Sequence, residues 1–258
     1  MTQNIVYKTQ HLADYFLGHR RTWDEFYPSE RWVFERIGAS PAGFGKVLDV
    51  GCAVGGLGNA LTEKFQIASY TGMDINAQAI DAAKCISKLP VPSQFLCADI
   101  VHSKDVEDEA YDTVAALSVA DWNVDTFGII EACWRKVAPG GRLIISVRLT
   151  ELASTLDAQS SYQYIVPGDD FEMPADPSEL EKAPYVVLNA REALAMFANL
   201  TPAPSDMLAY GYWGTPSATA HTPYDRLAFA VLSIQRANAG EDRADTRMEC
   251  HLPLKVLL

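Results

Sequence analysis

The amino-acid sequence predicts an α/β protein built on a doubly wound, mostly parallel sheet. Apolar segments of strand length alternate with segments of helical periodicity between residues 46 and 148. Five strands joined in this way imply right-handed crossovers, with helices on both faces of the sheet. Two later apolar segments, at 207–213 and 227–234, are expected to pair as a hairpin. The prediction is therefore a seven-stranded sheet with an antiparallel final strand.

Each element follows from its hydrophobic period and from the residues that end it. Short β-branched runs predict buried strands, and apolar residues at a period of 3.6 predict helices. Pro90 and Pro92 end one helix, and Gly140 with Gly141 ends another. In chain order the predicted elements are helices within 8–37, strand 46–50, helix 56–65, strand 69–74, helix 77–89, strands 93–97 and 111–118, helix 126–137, strand 142–148, helix 190–200, and strands 207–213 and 227–234.

Changes in composition divide the chain into segments. Residues 1–40 are predicted to form an N-terminal helical cap, and residues 41–236 the main domain. Within that domain, 151–185 is rich in Ser, Asp and Pro with interspersed aromatics, and we expect it to be an inserted substrate lid, since long loops in compact domains are usually functional or disordered. Residues 237–258 are predicted to be a C-terminal tail.

Composition excludes several classes of function. A net charge of −12 disfavours a nucleic-acid partner, since phosphate binding needs a positive field, and favours a small-molecule substrate. The 5 cysteines are scattered, so we expect neither a metal site nor a disulfide framework. No apolar run reaches membrane-spanning length and no signal peptide is evident, which predicts a cytoplasmic protein without a membrane partner. The oligomeric state stays open, with a homodimer as one alternative.

A glycine-containing turn follows the first predicted strand. Asp49 lies near the end of that strand, and Gly51 and Gly55 provide a backbone that a ligand can approach closely. The second strand ends at Asp74, which lies 74 − 55 = 19 residues beyond Gly55. An acid at that distance is suited to bind ribose hydroxyls. Together these features predict a nucleoside-binding βαβ unit.

Five ordered motifs resemble those of the class I S-adenosylmethionine-dependent methyltransferases, which have a Rossmann-like fold. The motifs are Leu48–Gly55, Gly72–Ile75, Ala98–Ile100, Tyr111–Ser118 and Trp134–Gly141. One departure is Ala53, which stands where the family usually has the middle glycine of its first motif. A single extra methyl group is expected to tighten the fit without preventing cofactor binding.

The resemblance implies S-adenosylmethionine as the cofactor and assigns residues to its parts. Asp49 and the turn amides would hold the methionine end, Asp74 the ribose and Asp99 the adenine amino group. Arg20, from the N-terminal segment, would pair with the carboxylate of the cofactor. Alternatively the acids are loop caps or solvated strand ends, and Arg20 lies on an exposed basic face. The residues expected at the cofactor are Arg20, Asp49, Gly51, Ala53, Gly55, Asp74, Ile75, Asp99, Ile100 and Ser118.

Two residues are candidates for a catalytic base. Asp121 follows the fourth strand, at the edge where open α/β sheets bind ligands, although it could instead cap the next helix. His221 lies in a long connection between two strands, and its ordinary pKa suits a base, although a packing or surface role is the alternative. Trp122 could form a wall of the acceptor site beside Asp121. Three later aromatic residues, Tyr212, Trp213 and Tyr224, could also bind the acceptor or could simply pack the final strands.

The function expected from the sequence is methyl transfer to a small polar acceptor. We favour O-methylation of a hydroxyl on a sugar, a nucleotide-sugar or another natural product. A hydroxyl acceptor needs a neighbouring group to take its proton, and Asp121 and His221 are candidates for that group. N-methylation of a small amine is an alternative. A nicotinamide-dependent oxidoreductase and a non-catalytic cofactor-binding protein are alternatives from other classes.

Overall fold

The protein is organised around one large twisted sheet with a small second sheet beside it. The structure is a computed structural model, and it describes residues 15–38, 43–166, 171–240 and 246–258. The strands are β1 (Lys46–Val50), β2 (Ser69–Asp74), β3 (Ser93–Cys97), β4 (Tyr111–Ala116), β5 (Val137–Thr150), β6 (Tyr162–Tyr164), β7 (Lys182–Pro184), β8 (Leu188–Asn189), β9 (Pro204–Gly214), β10 (Ala220–His221), β11 (Leu227–Arg236) and β12 (Arg247–His251). The helices are α1 (Pro28–Gly38), α2 (Gly56–Lys64), α3 (Ala77–Ile86), α4 (Thr126–Lys136) and α5 (Ala190–Ala198), with 3₁₀ turns at Trp23–Glu25, Ala120–Trp122 and Leu254–Leu257.

The large sheet confirms the predicted doubly wound, mostly parallel arrangement. Its strand order is β12-β9-β11-β5-β4-β1-β2-β3, with β8 beside β5. Strands β3, β2, β1, β4 and β5 form a parallel ladder, whereas β11 is antiparallel to both β5 and β9. Strand β11 is thus the expected antiparallel strand. The reversal of strand order at β1 and β4 opens the crevice where such sheets bind ligands.

The large sheet has nine strands, two more than the sequence predicted. One of them is β8, which is only two residues long. The other is β12, which forms within the predicted tail and pairs in parallel with β9. All five residues of β12 are exposed, so it shows no alternation of buried and exposed side chains that would reveal a strand. Strands as short as β8 or as exposed as β12 form because they pair with a strand that is already in the sheet, so their own sequence does not reveal them.

Helices cover both faces of the sheet, and each face has its own hydrophobic cluster. The larger cluster includes residues of α4 and α5, such as Trp134, whose buried indole donates to the carbonyl of Pro202 at 2.8 Å. The other cluster joins α1 and α2 to the sheet through Phe34 and Leu61. The cap predicted at 1–40 is described from residue 15 to residue 38, and residues 1–14 lie outside the described chain. Packing on both faces fixes the strand ends that form the crevice.

The insertion predicted at 151–185 contributes two of the three strands of the small sheet. Its order is β10-β6-β7, with both pairings antiparallel. The amide of Thr155 donates to the carbonyl of Val187 at 2.8 Å, which closes the base of the insertion against β8. Residues 167–170 lie outside the described part of the insertion. Residues 163–166 reach the crevice of the large sheet, as a lid would require.

Candidate functional site

A cavity of about 620 Å³ opens at the carboxyl ends of β1, β2 and β4. Its walls come from the N-terminal segment, from the turns after these strands and from the small sheet. Sites for small molecules usually have volumes of roughly 300–1,000 Å³. Of the residues expected at the cofactor, all but Gly55 line this cavity in the described structure. The cavity is therefore the candidate active site.

The turn after β1 is held open by backbone conformation and hydrogen bonds. Gly51 has φ +71°, and its amide donates to the carbonyl of Met73 on β2 at 2.7 Å. Gly55 has φ +82° and lies outside the lining, because it precedes α2 and packs against the ring of Phe95. At Gly56 an added Cβ would come within 1.9 Å of the Arg20 carbonyl oxygen. The backbone of the N-terminal segment thus lies directly over the start of α2.

Ala53 adopts a left-handed backbone conformation, with φ +46°. This conformation costs a non-glycine residue roughly 1 kcal/mol, whereas glycine loses roughly as much in conformational entropy on folding. We expect Ala53→Gly to change the free energy of unfolding by less than about 1 kcal/mol, and Ala53→Val to lower it by more than about 1 kcal/mol. Denaturant titration of the three proteins checks this. A Val variant as stable as the parent would show that the turn is not strained.

Three acids at the strand ends line the cavity: Asp49 is buried, and Asp74 and Asp99 are half-buried. Asp49 accepts a 2.5 Å hydrogen bond from the Tyr70 hydroxyl, and burial raises the pKa of Asp49 to about 7. Asp74 accepts the amides of Ala53 at 2.9 Å and Asn76 at 2.8 Å, and burial raises its pKa as well. Asp99 accepts the amide of Val101 at 2.9 Å. These acceptors are fixed in place before any ligand binds.

Two ion pairs belong to the same cavity lining. Arg20 donates to Glu30 of α1 at 2.8 Å, and its guanidinium lies over the rings of Phe26 and Tyr27. Arg148 of β5 lies 3.4 Å from a carboxylate oxygen of Asp121. The described lining as a whole carries more carboxylates than arginines. The carboxylates are Glu30, Asp49, Asp74, Asp99 and Asp121, and the arginines are Arg20 and Arg148.

The donors and charges of the lining fit S-adenosylmethionine better than a nicotinamide dinucleotide. A dinucleotide places its pyrophosphate on free amides at a helix N-terminus. Here the amide of Ala53 is already bonded to Asp74, and the start of α2 is covered by Arg20. A net negative lining repels a pyrophosphate but attracts the sulfonium and ammonium groups of S-adenosylmethionine. The nicotinamide alternative therefore has no support in the site.

Asp121 lies at the end of the cavity beyond β4, in the 3₁₀ turn Ala120–Trp122. Its carboxylate is buried, and atom Oδ1 has no hydrogen-bond partner in the described structure. Burial raises the pKa of Asp121, and the charge of Arg148 opposes that rise. The capping role considered for Asp121 belongs to Asp125, whose Oδ1 accepts the amide of Gly128 at 3.3 Å. Asp121 thus combines a place in the cavity lining with a buried carboxylate oxygen that has no partner in the described structure.

Aromatic side chains wall this end of the cavity. Trp122 and Tyr212 were expected here from the sequence, and both line the cavity. The rings of Trp122 and Tyr185 meet edge to face, with centroids 6.2 Å apart. Tyr164 and Phe229 complete the wall. Tyr164 belongs to the insertion that the sequence predicts to be a substrate lid. Sequence reasoning missed Tyr185, Glu30 and Arg148, although an aromatic residue at the end of a polar insertion was a usable signal for Tyr185.

The other three residues proposed for the acceptor end are not among the described lining residues. His221 is exposed on β10 and stacks on Tyr162, with ring centroids 5.0 Å apart. Tyr224 is buried, and its hydroxyl donates to the Ala153 carbonyl at 2.6 Å. Trp213 packs under the guanidinium of Arg226 at 4.3 Å. The structure therefore does not bring these three together with Asp121.

Two further features are absent from the described residues. Within 15–38, 43–166, 171–240 and 246–258, no group of three or more His, Cys, Asp or Glu side chains could hold a metal ion. Within those same ranges, each helix is too short or too polar to span a bilayer.

Known proteins share both the sequence motifs and the fold. Residues 48–145 match a family described as "Methyltransferase domain". The ubiquinone biosynthesis O-methyltransferase of Pseudomonas savastanoi pv. phaseolicola is 30% identical over 181 residues, which cover 64% of this chain and 75% of that protein. The cyclase SpnF is 17% identical with a TM-score of 0.53, covering 89% of this chain and 92% of that chain. An S-adenosylmethionine-dependent methyltransferase structure from Listeria monocytogenes is 15% identical with a TM-score of 0.51, covering 82% and 100%.

The two structural likenesses establish the fold, and the curated relative establishes the family. Its similarity extends over 181 residues, more than the matched domain, and covers 75% of that protein. The chain therefore belongs to the class I S-adenosylmethionine-dependent methyltransferases, and S-adenosylmethionine is its cofactor.

Proposed function

We propose that this enzyme transfers the methyl group of S-adenosylmethionine to a hydroxyl oxygen of a small, ring-shaped polar acceptor. The observation that carries the proposal is the buried carboxylate of Asp121, a residue of the cavity lining whose Oδ1 has no partner in the described structure. A hydroxyl acceptor needs such a group to take its proton as the new bond forms. The printed name of the curated relative, an O-methyltransferase, supports oxygen as the acceptor atom.

The cofactor supplies an electrophilic methyl group on a sulfonium sulfur, and the residues of this chain would bind it part by part. Asp74 would accept the ribose hydroxyls, and Asp99 would accept the adenine amino group. The methionine end would meet Asp49 and the turn amides, with Arg20 at its carboxylate. Alignment of the two reactants and exclusion of water can provide much of the rate of such an in-line displacement. The small sheet, proposed as a lid, would exclude that water.

Asp121 is the base that we propose in this mechanism, and His221 is the rival. The raised pKa of Asp121 makes its carboxylate a better proton acceptor than an exposed one. His221 would have to reach the cavity from an exposed position on β10. An amine acceptor needs only to be neutral, so a buried acid is not required for N-methylation.

The walls of the cavity suggest the class of acceptor. Trp122, Tyr185 and Tyr212 offer flat faces and polar edges to a ring. A sugar, a nucleotide-sugar or a natural product with a ring hydroxyl fits this chemistry. The name of the curated relative adds an acceptor of ubiquinone biosynthesis as a second candidate. The net charge of −12 supports a small molecule over a nucleic acid as the substrate.

An acceptor panel tests the proposal. The enzyme is incubated with methyl-labelled S-adenosylmethionine and separate sets of sugars, nucleotide-sugars, phenols and small amines. We expect label on an oxygen of a ring compound, located by mass spectrometry and NMR. Label that enters only amines would contradict the proposal. Cofactor binding without transfer across the panel would favour a non-catalytic binding protein.

Cofactor binding should release a proton through Asp49. Burial raises the pKa of Asp49 to about 7, so much of it is protonated near neutral pH in the free protein. The ammonium of the cofactor favours the charged carboxylate, lowers this pKa and expels the proton. Calorimetry at pH 6.5 in buffers of different ionisation enthalpy measures the number released. We expect Asp49→Asn to release fewer protons, and an unchanged number would show that Asp49 keeps its charge state.

A further inference from the structure

Arg148 connects three separate parts of the cavity wall. It lies on β5 and is only 5% exposed. Its Nη1 donates to the main-chain carbonyl of Asp121 at 2.7 Å, and its Nε lies 3.4 Å from Oδ2 of the same residue. The guanidinium also lies 3.7 Å from the ring centroid of Tyr185 and 4.6 Å from that of Trp122. One side chain thus joins the main sheet, the turn after β4 and the base of the insertion.

The base of the insertion makes its own bond to the same carbonyl. The amide of Val186 donates to the carbonyl of Asp121 at 3.0 Å, so this oxygen accepts hydrogen bonds from both the Val186 amide and the Arg148 guanidinium. Tyr185 is tied to the other arm of the insertion, because its amide donates to Ser161 and its carbonyl accepts the Ser161 hydroxyl at 2.6 Å. Movement of the insertion would therefore change the contacts of both Arg148 and Asp121.

The guanidinium also distinguishes the two oxygens of the Asp121 carboxylate. Oδ2 lies beside Arg148, whereas Oδ1 has no partner in the described structure. A planar guanidinium fixes orientation through several donors at once, which the single ammonium of a lysine cannot do. Its flat face also stacks on aromatic rings, as it does here on Tyr185. This arrangement leaves Oδ1 as the carboxylate oxygen without a partner in the described structure.

We propose that Arg148 is a positioning residue that couples the insertion to Asp121, so that Oδ1 faces the methyl acceptor when the insertion is docked. This inference rests on the proposed role of Asp121 and adds that docking of the insertion sets the orientation of its carboxylate. A displaced insertion would remove Tyr185 from the cluster, weaken the adjoining bond from the Val186 amide to Asp121 and leave Asp121 less well oriented. Acceptor binding under the lid and readiness of the base would then be linked.

Charged and titratable groups from three elements surround Asp121. Arg148 on β5 and Arg20 in the N-terminal segment lower the pKa of Asp121, while the hydroxyl of Tyr185 is the nearby titratable group of the insertion. Of these, Arg148 is the charge with the larger effect on Asp121. Loss of its charge should raise the pH at which Asp121 ionises, because a nearby cation stabilises the charged carboxylate.

The test uses the complex with S-adenosylhomocysteine, so that it needs no acceptor. Arg148→Gln removes both the charge and the planar guanidinium with its several donors. Arg148→Lys keeps the charge and removes only the guanidinium. Arg226→Gln is a matched control. Arg226 also stacks on an aromatic ring and pairs with a carboxylate, Glu151 at 2.9 Å, but it is exposed. Infrared difference spectra against the matching Asp121→Asn proteins follow protonation of Asp121, and hydrogen exchange follows the amide of Val186.

We expect Asp121 to ionise at a higher pH in Arg148→Gln and close to the parent value in Arg148→Lys. Exchange at Val186 should become faster in both variants and stay unchanged in Arg226→Gln. If Arg148→Gln does not fold, the lysine variant decides through its exchange rate at Val186. Parent-like exchange in Arg148→Lys, or an equal change in Arg226→Gln, would overturn the coupling. Failure of the proposed function would instead appear as a panel without O-methyl product while these shifts persist.

Discussion

Asp121→Asn is expected to lower kcat by about 10²- to 10⁴-fold, the contribution typical of a positioned general base. Asparagine has nearly the same shape, but its amide cannot accept the proton of a hydroxyl acceptor. Affinity for S-adenosylmethionine should change little, because Asp121 lies at the other end of the cavity from Asp74 and Asp99. Single-turnover rates with labelled cofactor, together with calorimetry, separate the two effects.

The control for this substitution is Asp105→Asn, which makes the same chemical change at an exposed acid outside the cavity. His221→Ala is measured alongside, because His221 is the rival base. Normal turnover in Asp121→Asn combined with a large loss in His221→Ala would contradict the assignment. It would mean that the small sheet moves far enough to bring His221 to the acceptor.

Asp74→Asn is expected to weaken S-adenosylmethionine binding by about 100-fold. Two hydrogen bonds to a charged acceptor contribute about 3 kcal/mol, and each 1.4 kcal/mol is a tenfold change in affinity. In the parent protein the amides of Ala53 and Asn76 donate to the Asp74 carboxylate. The asparagine side chain would place its own N–H group against one of these donors, so that hydrogen bond would be lost. At saturating cofactor, kcat should fall much less than affinity does, since Asp74 does not touch the reacting atoms.

Calorimetry with S-adenosylmethionine measures this loss, and Asp81→Asn on the exposed face of α3 is the matched control. Thermal unfolding of Asp74→Asn without cofactor reports separately on damage to the turn. An affinity equal to that of the parent protein would show that ribose is bound elsewhere. In that case the strand-end acids would serve only to hold the turn.

The parts of the site that were predictable from sequence are those fixed by local order along the chain. Asp49, Asp74 and Asp99 each lie within two residues of the end of a strand in the parallel part of the sheet. Parallel strands bring such ends to one edge of the sheet, so their meeting follows from the fold class. The same logic placed Asp121 and Trp122 correctly in the lining of the cavity.

The rest depended on packing between distant segments. Glu30 has the sequence context of an ordinary helix residue, and only folding of the N-terminal segment places it against Arg20. Arg148 sits in an apolar strand, and its partner Tyr185 comes from an insertion whose path has no sequence period. His221 is a candidate from sequence because it lies in a long polar connection, but pairing of β10 with β6 leaves it exposed on Tyr162. Side-chain direction in such connections is decided by tertiary contacts.

A crystal structure with S-adenosylhomocysteine tests the central claim most directly, because this product keeps the nucleoside and the sulfur but lacks the methyl group. The account predicts that its ribose hydroxyls bind Asp74, that its adenine lies beside Asp99 and Ile100, and that its sulfur opens toward Oδ1 of Asp121. A sulfur that points away from Asp121, or a nucleoside bound outside the cavity at the ends of β1, β2 and β4, would contradict it.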